Sequence, residues 1–417
     1  MSVFAADPLY SGDIDLAVVL ITVLKGVITL GFALIATSLF IWIERKLISD
    51  FQARVGPNRA GPYGILQTIA DGAKLFLKEG MVPTQADRLV FRLAPYFAAV
   101  PAFFIFSVVP ITGDFGAGGD GTIELFGRTT YAQLYDGPIG ILVVLVASSI
   151  AVYGVMLAGW ASGSKYPLLG AVRASASMIS YEAALGLSLV AVVLYAGSLS
   201  THDMVMVQAG EGPGGILPNW NLIALGIVPF AVFFTAALAE MNRPPFDLTE
   251  AEQELVAGFN TEYSGIRFAL FYIAEFMAPI TFGGVMTTLF FGGPAGPVPV
   301  GPTWLWGLIW FFVKLAAFLF VFVWLRATLP RVRYDRLMDL GWKLLIPLSL
   351  GWLLLLAALR VADVEGWNRG VVTVAGGAGL LAGAALVSAA VRSGRRRHEL
   401  DATGVDPPRS DRTGAAR

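Results

Sequence analysis

Residues 16–43 read LAVVLITVLKGVITLGFALIATSLFIWI, a 28-residue run whose only charge is Lys25. A helix that crosses a bilayer needs about 20 mostly apolar residues, and this stretch supplies them with several to spare. It is preceded by Asp7, Asp13 and Asp15 and is far longer than the apolar part of a secretory leader, so it reads as a span and not as a signal peptide. Eight further stretches meet the same requirement or come close to it, at 95–112, 138–160, 177–196, 221–241, 266–291, 304–325, 342–360 and 371–391. None shows the period-2 alternation of a barrel strand. Because the bilayer core admits only helices or closed barrels, the chain is expected to be an all-α polytopic membrane protein of about nine transmembrane helices. Composition agrees. The 417 residues are 56% hydrophobic and 14% charged, against about 25% charged in a soluble domain, which excludes a soluble globular fold. Cysteine is absent and histidine occurs twice, which excludes thiolate-held iron–sulfur clusters and disulfides and leaves almost nothing for a metal or haem site.

The 29 Lys and Arg nearly cancel the 30 Asp and Glu in number but not in placement. With the N-terminus outside and the C-terminus inside, 24 basic residues fall on inner segments and three, Arg128, Arg360 and Arg369, on outer ones, while eleven acids lie outside. This is the positive-inside pattern. An outer segment (1–15) then leads into an eight-helix core (16–360) with inner loops at 44–94, 161–176, 242–265 and 326–341. A ninth helix (361–391), whose Gly379-x-x-x-Gly383 spacing suits close helix packing, and a disordered arginine-rich tail (392–417) at anionic lipid complete the chain.

Two inner loops are more than connectors. In 65–79 (ILQTIADGAKLFLKE), Ile65, Leu66, Ile69, Leu75 and Phe76 fall on one side and Gln67, Asp71, Lys74 and Lys78 on the other, which predicts an amphipathic helix lying in the membrane interface or packed beneath the bundle. The 242–265 loop sets Asp247, Glu250, Glu252, Glu254 and Glu262 against Arg243. Acid on an inner loop runs against the orientation rule, so something other than topology selects it.

Inside the spans lie Lys25, Glu182, Glu240, Glu275 and Lys314. A charge near the bilayer centre costs about 2.5–3.5 kcal/mol on insertion scales, which makes each a functional candidate. Glu240 is expected at the inner end of its span, Glu182 and Glu275 one to two turns inside theirs, and Lys25 and Lys314 in the outer half. Buried acids and bases at different depths suit a chain of titratable groups that shift one another's protonation. The competing readings are snorkelling for Lys25 and static interhelical pairs for the glutamates. Histidine is missing from every span, so a proton path would run through carboxylates, lysines, tyrosines such as Tyr153 and Tyr181, and water.

Four strings are more specific than composition: Glu44-Arg45-Lys46 leading into FQARVGPNRAGPYGILQTIADGAKLFLKE (51–79), GWASGSKYPLLGAVRASASMISYE (159–182), AEMNRPPFDLTEAEQELVAGFNTEYSGIRFALFYIAE (239–275) and LRATLPRVRYDRLMDLGWK (325–343). RVGPNRAGP is a Gly/Pro-constrained turn presenting Arg54 and Arg59, and NRPPFDL is a stiff turn, because each proline fixes its own φ and biases its predecessor to extended backbone. Over residues 16–360 these strings resemble the H-subunit family of proton-pumping NADH-quinone oxidoreductases, the counterpart of subunit 1 of respiratory complex I. The resemblance implies the heel of a membrane arm that forms the membrane side of a quinone chamber and begins a hydrophilic path coupling quinone reduction to proton translocation. It implies Glu44, Arg45 and Asp71 near the quinone cavity and its mouth. The basic turn of Arg54 and Arg59 is implied on the inner surface, and Arg243, Asp247, Glu250, Glu252, Glu254 and Glu262 on an acidic loop lining the chamber. Glu182, Glu240 and Glu275 are implied as buried carboxylates leading away from it.

The implied substrate is a quinone, with no cofactor held by this chain alone and flavin and iron–sulfur clusters on partner subunits. Implied partners are a soluble redox arm at the inner face, antiporter-like membrane subunits alongside and membrane lipid, in a bacterial plasma membrane, with no nucleic acid. Gly163 stands where the family usually has asparagine, Pro167 where it has a small residue and Pro244 where it has threonine. A stand-alone cation/proton antiporter and the heel subunit of a membrane-bound hydrogenase are the alternatives. Against the antiporter stand the long charged inner loops, and against the hydrogenase stand the RVGPNRAGP string and the amphipathic segment.

Overall fold

The computed structural model describes residues 7–11, 14–116, 118–210, 218–247 and 256–403. Asp15 caps the first helix by accepting the Val18 amide at 2.9 Å, and α1 (Leu16–Phe51) then runs 36 residues. That is about 54 Å, longer than the about 30 Å of a bilayer core, so Glu44, Arg45 and Lys46 continue the helix past the expected span and are not loop. After the Arg54–Arg59 turn, α2 (Gln67–Leu77) forms within the segment expected to be amphipathic, leaving Ile69, Phe76 and Leu77 exposed. The Asp87 carboxylate caps α3 (Arg88–Ser107), which carries Pro95 and Pro101 inside it and ends before Pro110. A small antiparallel hairpin, β1 (Thr122–Leu125) and β2 (Arg128–Tyr131), leads into α4 (Gly140–Ala161), α5 (Lys165–Ala196) and the short α6 (Thr201–Ala209). Then come α7 (Asn221–Ala224), α8 (Ile227–Glu240), α9 (Gly265–Phe290), α10 (Thr303–Thr328) and α11 (Tyr334–Leu340). A π-helical turn (Gly341–Leu345) joins α11 to α12 (Ile346–Glu365), and α13 (Arg369–Thr403) ends the described chain.

All nine expected stretches carry a helix. Among the described residues seven helical runs are long and apolar enough to cross a membrane, namely α1, α3, α4, α5, α9, α10 and the continuous Tyr334–Glu365. The 221–241 stretch falls short because Gly226 breaks it at φ +79°, a left-handed conformation that favours glycine, and leaves α8 with 14 residues. The Trp352 indole N–H donates to the Leu225 carbonyl at 3.0 Å, supplying the partner that the break removed.

The loop expected at 161–176 shrinks to three residues, 162–164, between α4 and α5. Pro167, Gly170, Ala171, Ala174, Ser175 and Met178 are buried on one face, a helical period hidden among Lys165, Arg173 and several serines. Gly163 sits at φ +64°, a left-handed conformation that glycine tolerates and that the asparagine expected there from the resemblance also visits. The expected 326–341 loop is likewise mostly helix, in the end of α10 and in α11. The segment from 392, expected as disordered tail, is helical to Thr403, and 404–417 lie outside the described residues.

Connections define two faces. At one, the basic face, Asp87 N meets Ala161 O, the Met81 amide meets Ser264 Oγ, and Val332 N meets Pro245 O. At the other, Ile141 N bonds Leu199 O and the Gln208 amide bonds Thr288 O. Between them lies an aromatic core in which Phe106, Phe233, Phe290 and Phe311 are fully enclosed. Near the basic face a second cluster stacks Phe91 on Tyr263 with ring centroids 4.1 Å apart. Glu44, Glu182, Glu240, Glu275, Lys314 and Arg326 are therefore mounted on close-packed helices rather than on loose loops.

Candidate functional site

Glu44 is the centre of the basic face. It projects inward from α1, only 2% exposed, and its two carboxylate oxygens accept from Nη1 of Arg243 at 2.7 and 2.9 Å. Nη1 of Arg326, on α10, donates to the same carboxylate. Arg243 is held by the turn that closes α8, and its Nε lies 3.8 Å from Glu275 on α9. Its guanidinium carbon also stands 4.3 Å from the centre of the Phe276 ring, a cation–π geometry. Two carboxylates and two guanidiniums from four separate parts of the chain thus form one chain of charges, Arg326–Glu44–Arg243–Glu275.

That chain divides two spaces. On one side is a polar crevice of about 670 Å³, lined by Glu44, Arg45, Ser49, Gln52, Arg54, Tyr272, Phe276 and Arg326, which is within the range of small-ligand sites. Arg45 binds Asp71 of α2 at 2.6 Å, and Gln67 donates to the other Asp71 oxygen at 3.1 Å. Burial alone would raise the Asp71 carboxyl, but these donors outweigh it and hold it below the ordinary carboxylate range. On the other side is an inner cavity of about 90 Å³ lined by Ser148, Met178, Glu240, Asn242, Phe259, Glu275 and Thr281 among apolar neighbours. Glu275 therefore touches Arg243 and faces the cavity as well. Glu240 is buried, and its Oε2 has no hydrogen-bond partner among the described residues.

Glu182 lies beyond the cavity, where it accepts from Ser149 of α4. Ser149 stands twelve residues before the end of α4, about 18 Å along the axis, so Glu182 lies near mid-depth and not one to two turns from the basic face as its place in 177–196 implied. Of the acidic loop, Asp247 and Glu262 are half-buried, and Glu250, Glu252 and Glu254 lie outside the described residues. Arg54 lines the crevice and Arg59 is exposed on its turn.

The two lysines are elsewhere. Lys25 forms a buried ion pair with Asp7 at 2.7 Å and donates to Thr130 Oγ1 at 3.0 Å, pinning the N-terminal segment and the hairpin to the bundle at the opposite face. Lys314 donates to the carbonyls of Phe291, Gly293 and Ala295 at 2.7, 2.8 and 2.7 Å, where α9 ends. Sequence reasoning did not single out Arg326, Tyr272 or the Ser148–Ser149 pair as site residues. Arg326 stood in a distinctive string but read as one orienting charge among five, and nothing local to it announces a partner 282 residues away.

The NADH dehydrogenase family model matches residues 24–357. The H subunit of the NADH-quinone oxidoreductase of Frankia alni is 46% identical over 382 residues, 91% of this chain and 81% of that protein. Its counterpart in Frankia casuarinae is 46% identical over 404 residues, 95% and 83% of the two chains, and that of Streptomyces avermitilis is 43% identical over 387 residues, 91% and 80%. A match that spans the whole helical core, at such identity and over such coverage, places the Glu44–Arg243 centre within a known lineage: the chain belongs to the family of NADH-quinone oxidoreductase H subunits.

Proposed function

We propose that this chain is a membrane-arm subunit of a proton-translocating NADH-quinone oxidoreductase in a bacterial plasma membrane, and that its polar crevice is the membrane side of the quinone chamber. The observation that carries the reading is the chain of charges Arg326–Glu44–Arg243–Glu275, which touches the crevice at one end and the inner cavity at the other. Quinone reduction consumes protons and changes charge in the chamber. A change there alters the balance at Glu44 and Arg243, and with it the field at Glu275 on the cavity side. Glu240 and then Glu182 continue the row of carboxylates toward mid-depth, where a partly exposed acid in a span calls for a partner subunit.

Asp247, Glu250, Glu252, Glu254 and Glu262 would line the chamber beside the soluble arm, α2 with Asp71 and Arg45 would flank its mouth, and Arg54 and Arg59 would shape the surface between. Flavin and iron–sulfur clusters belong to partner subunits, since this chain has no cysteine to ligate a cluster. Antiporter-like subunits alongside would complete proton transfer.

The test is the assembled complex in membrane vesicles. Glu240→Gln and Glu182→Gln should each lower quinone-linked NADH oxidation and proton pumping about tenfold or more while the subunits still co-purify. Wild-type coupled rates in both would overturn the reading.

A further inference from the structure

Resting on the coupling reading above, we propose that Ser149, supported by Ser148, is the positioning residue that lets Glu182 carry or release a proton inside the bundle without orphaning a hydrogen-bonding group. Ser149 Oγ is within hydrogen-bond reach of two acceptors, the Leu145 carbonyl at 2.9 Å and Glu182 Oε1. A serine hydroxyl has one proton to give and two lone pairs to offer. It cannot donate to both at once, so the contact with Glu182 must run in one of two directions. When Glu182 is ionised, Ser149 donates to its carboxylate. When Glu182 is protonated, the carboxyl O–H donates to Ser149 Oγ and Ser149 turns its own proton to Leu145.

Ser148 makes this exchange inexpensive. Its hydroxyl also donates to the Leu145 carbonyl, at 2.9 Å, so that oxygen keeps a side-chain donor when Ser149 turns away. Both patterns leave every hydroxyl with an acceptor, so neither strands a buried hydrogen-bonding group. Ser148 is 3% exposed and lines the cavity shared by Glu240 and Glu275, so the serine pair stands between that cavity and Glu182. The charged group that bears on Glu182 from a neighbouring element is the carboxyl of Glu240 on α8. The Ser149 hydroxyl is the donor that stabilises the ionised Glu182 carboxylate. Protons balance simply: the proton that Glu182 gains comes from the cavity side, from Glu240 or from water there, and Ser149 ends with the proton it began with.

Ser149→Ala in the assembled complex should lower quinone-linked proton pumping about tenfold, the factor that loss of a hydrogen bond to a charged group brings. Ser149→Thr, which keeps the hydroxyl, should restore the rate. The double variant Ser149→Ala with Glu182→Gln should be no slower than Glu182→Gln alone, since the serine acts through that carboxyl. NADH oxidation with a water-soluble acceptor and co-purification of the other subunits report folding and assembly. A wild-type rate in Ser149→Ala, a threonine variant that does not recover, or losses that add to those of Glu182→Gln would each overturn the inference. If Glu182→Gln and Glu240→Gln are impaired while Ser149→Ala is not, the coupling reading stands and only the serine's role falls. If both glutamine variants are wild type, the coupling reading falls first.

Discussion

Arg243 and Lys314 are both cations enclosed by the helical bundle, and they are held in opposite ways. Lys314 has three ammonium protons and three carbonyl acceptors, all within 2.8 Å, at the end of α9 where the helix dipole is negative. Arg243 has five N–H donors, yet only Nη1 is hydrogen-bonded, while Nε and Nη2 lack such partners among the described residues. The same contrast separates the carboxylates. Asp7 is enclosed by Lys25 and Thr130, whereas Glu240 has an oxygen with no hydrogen-bond partner among the described residues, beside a cavity. A saturated charge is fixed in place and helps hold the fold. A charge with unmet donors or acceptors, next to space that water or a ligand can fill, can change state. Burial and membrane depth alone do not tell the two apart, and the pattern of hydrogen bonds does.

The sharpest way to break this comparison is Arg243→Met. Truncating one partner of a buried pair leaves the other uncompensated, at about 3–5 kcal/mol, and here it would also cut the link between crevice and cavity. Quinone-linked NADH oxidation by the assembled enzyme should fall about a hundredfold or more, with oxidation through a water-soluble acceptor preserved, and a variant retaining half its quinone-linked rate would put Arg243 on the structural side. Lys25→Met should instead lower the melting temperature of the solubilised complex, by a similar energy, and leave protons pumped per NADH unchanged. Adding Asp7→Asn should recover most of that loss, because it removes the stranded charge, and a double variant no more stable than the single would contradict the pairing. Lys314→Met strands three carbonyls at a helix end, some of which water can reach, so a smaller drop of about 2 kcal/mol is expected, again with coupling intact. A loss of pumping per NADH in Lys314→Met would return it to the proton path.

The spans were legible because hydropathy is additive and local, and 16–43 announced a helix without help from the rest of the chain. Where helices end was not. The first turns of α5 read as loop because Lys165, Arg173 and the serines outweigh Pro167, Gly170 and Ala171 in composition, although packing of those small residues keeps the helix going. Gly226 and Pro229 carried a local signal for the break before α8, and the apolar residues around them masked it. For the site, residue types were visible and pairings were not. Glu44 and Arg243 are 199 positions apart, and only the packed bundle brings them within 2.7 Å. Lys25 could not be told from a snorkelling lysine until Asp7, which lies outside the span, came back over it.

The smallest expected effect tests the saturated side of the comparison at its one weak point. Asp136, between β2 and α4, is buried near the opposite face, where Ser200 Oγ donates to one of its oxygens at 2.8 Å and the other has no partner among the described residues. Burial, which the neighbouring charges of Asp203 and Asp7 reinforce, pushes its carboxyl up to about 7. A carboxyl raised in the folded state binds a proton there that the unfolded chain has already lost, so its contribution is full below about pH 4 and is lost progressively as pH rises from there through about 7. Between pH 6 and pH 8 the loss is about 1.4 kcal/mol, from one proton released over that window. Asp136→Asn keeps an oxygen for Ser200 and cannot ionise. Its melting temperature in the solubilised complex should therefore come close to that of the unmodified protein near pH 4 and exceed it by a few degrees at pH 8. A constant difference at both pH values would mean that Asp136 does not titrate in this window, and its unpartnered oxygen would then need a donor of its own.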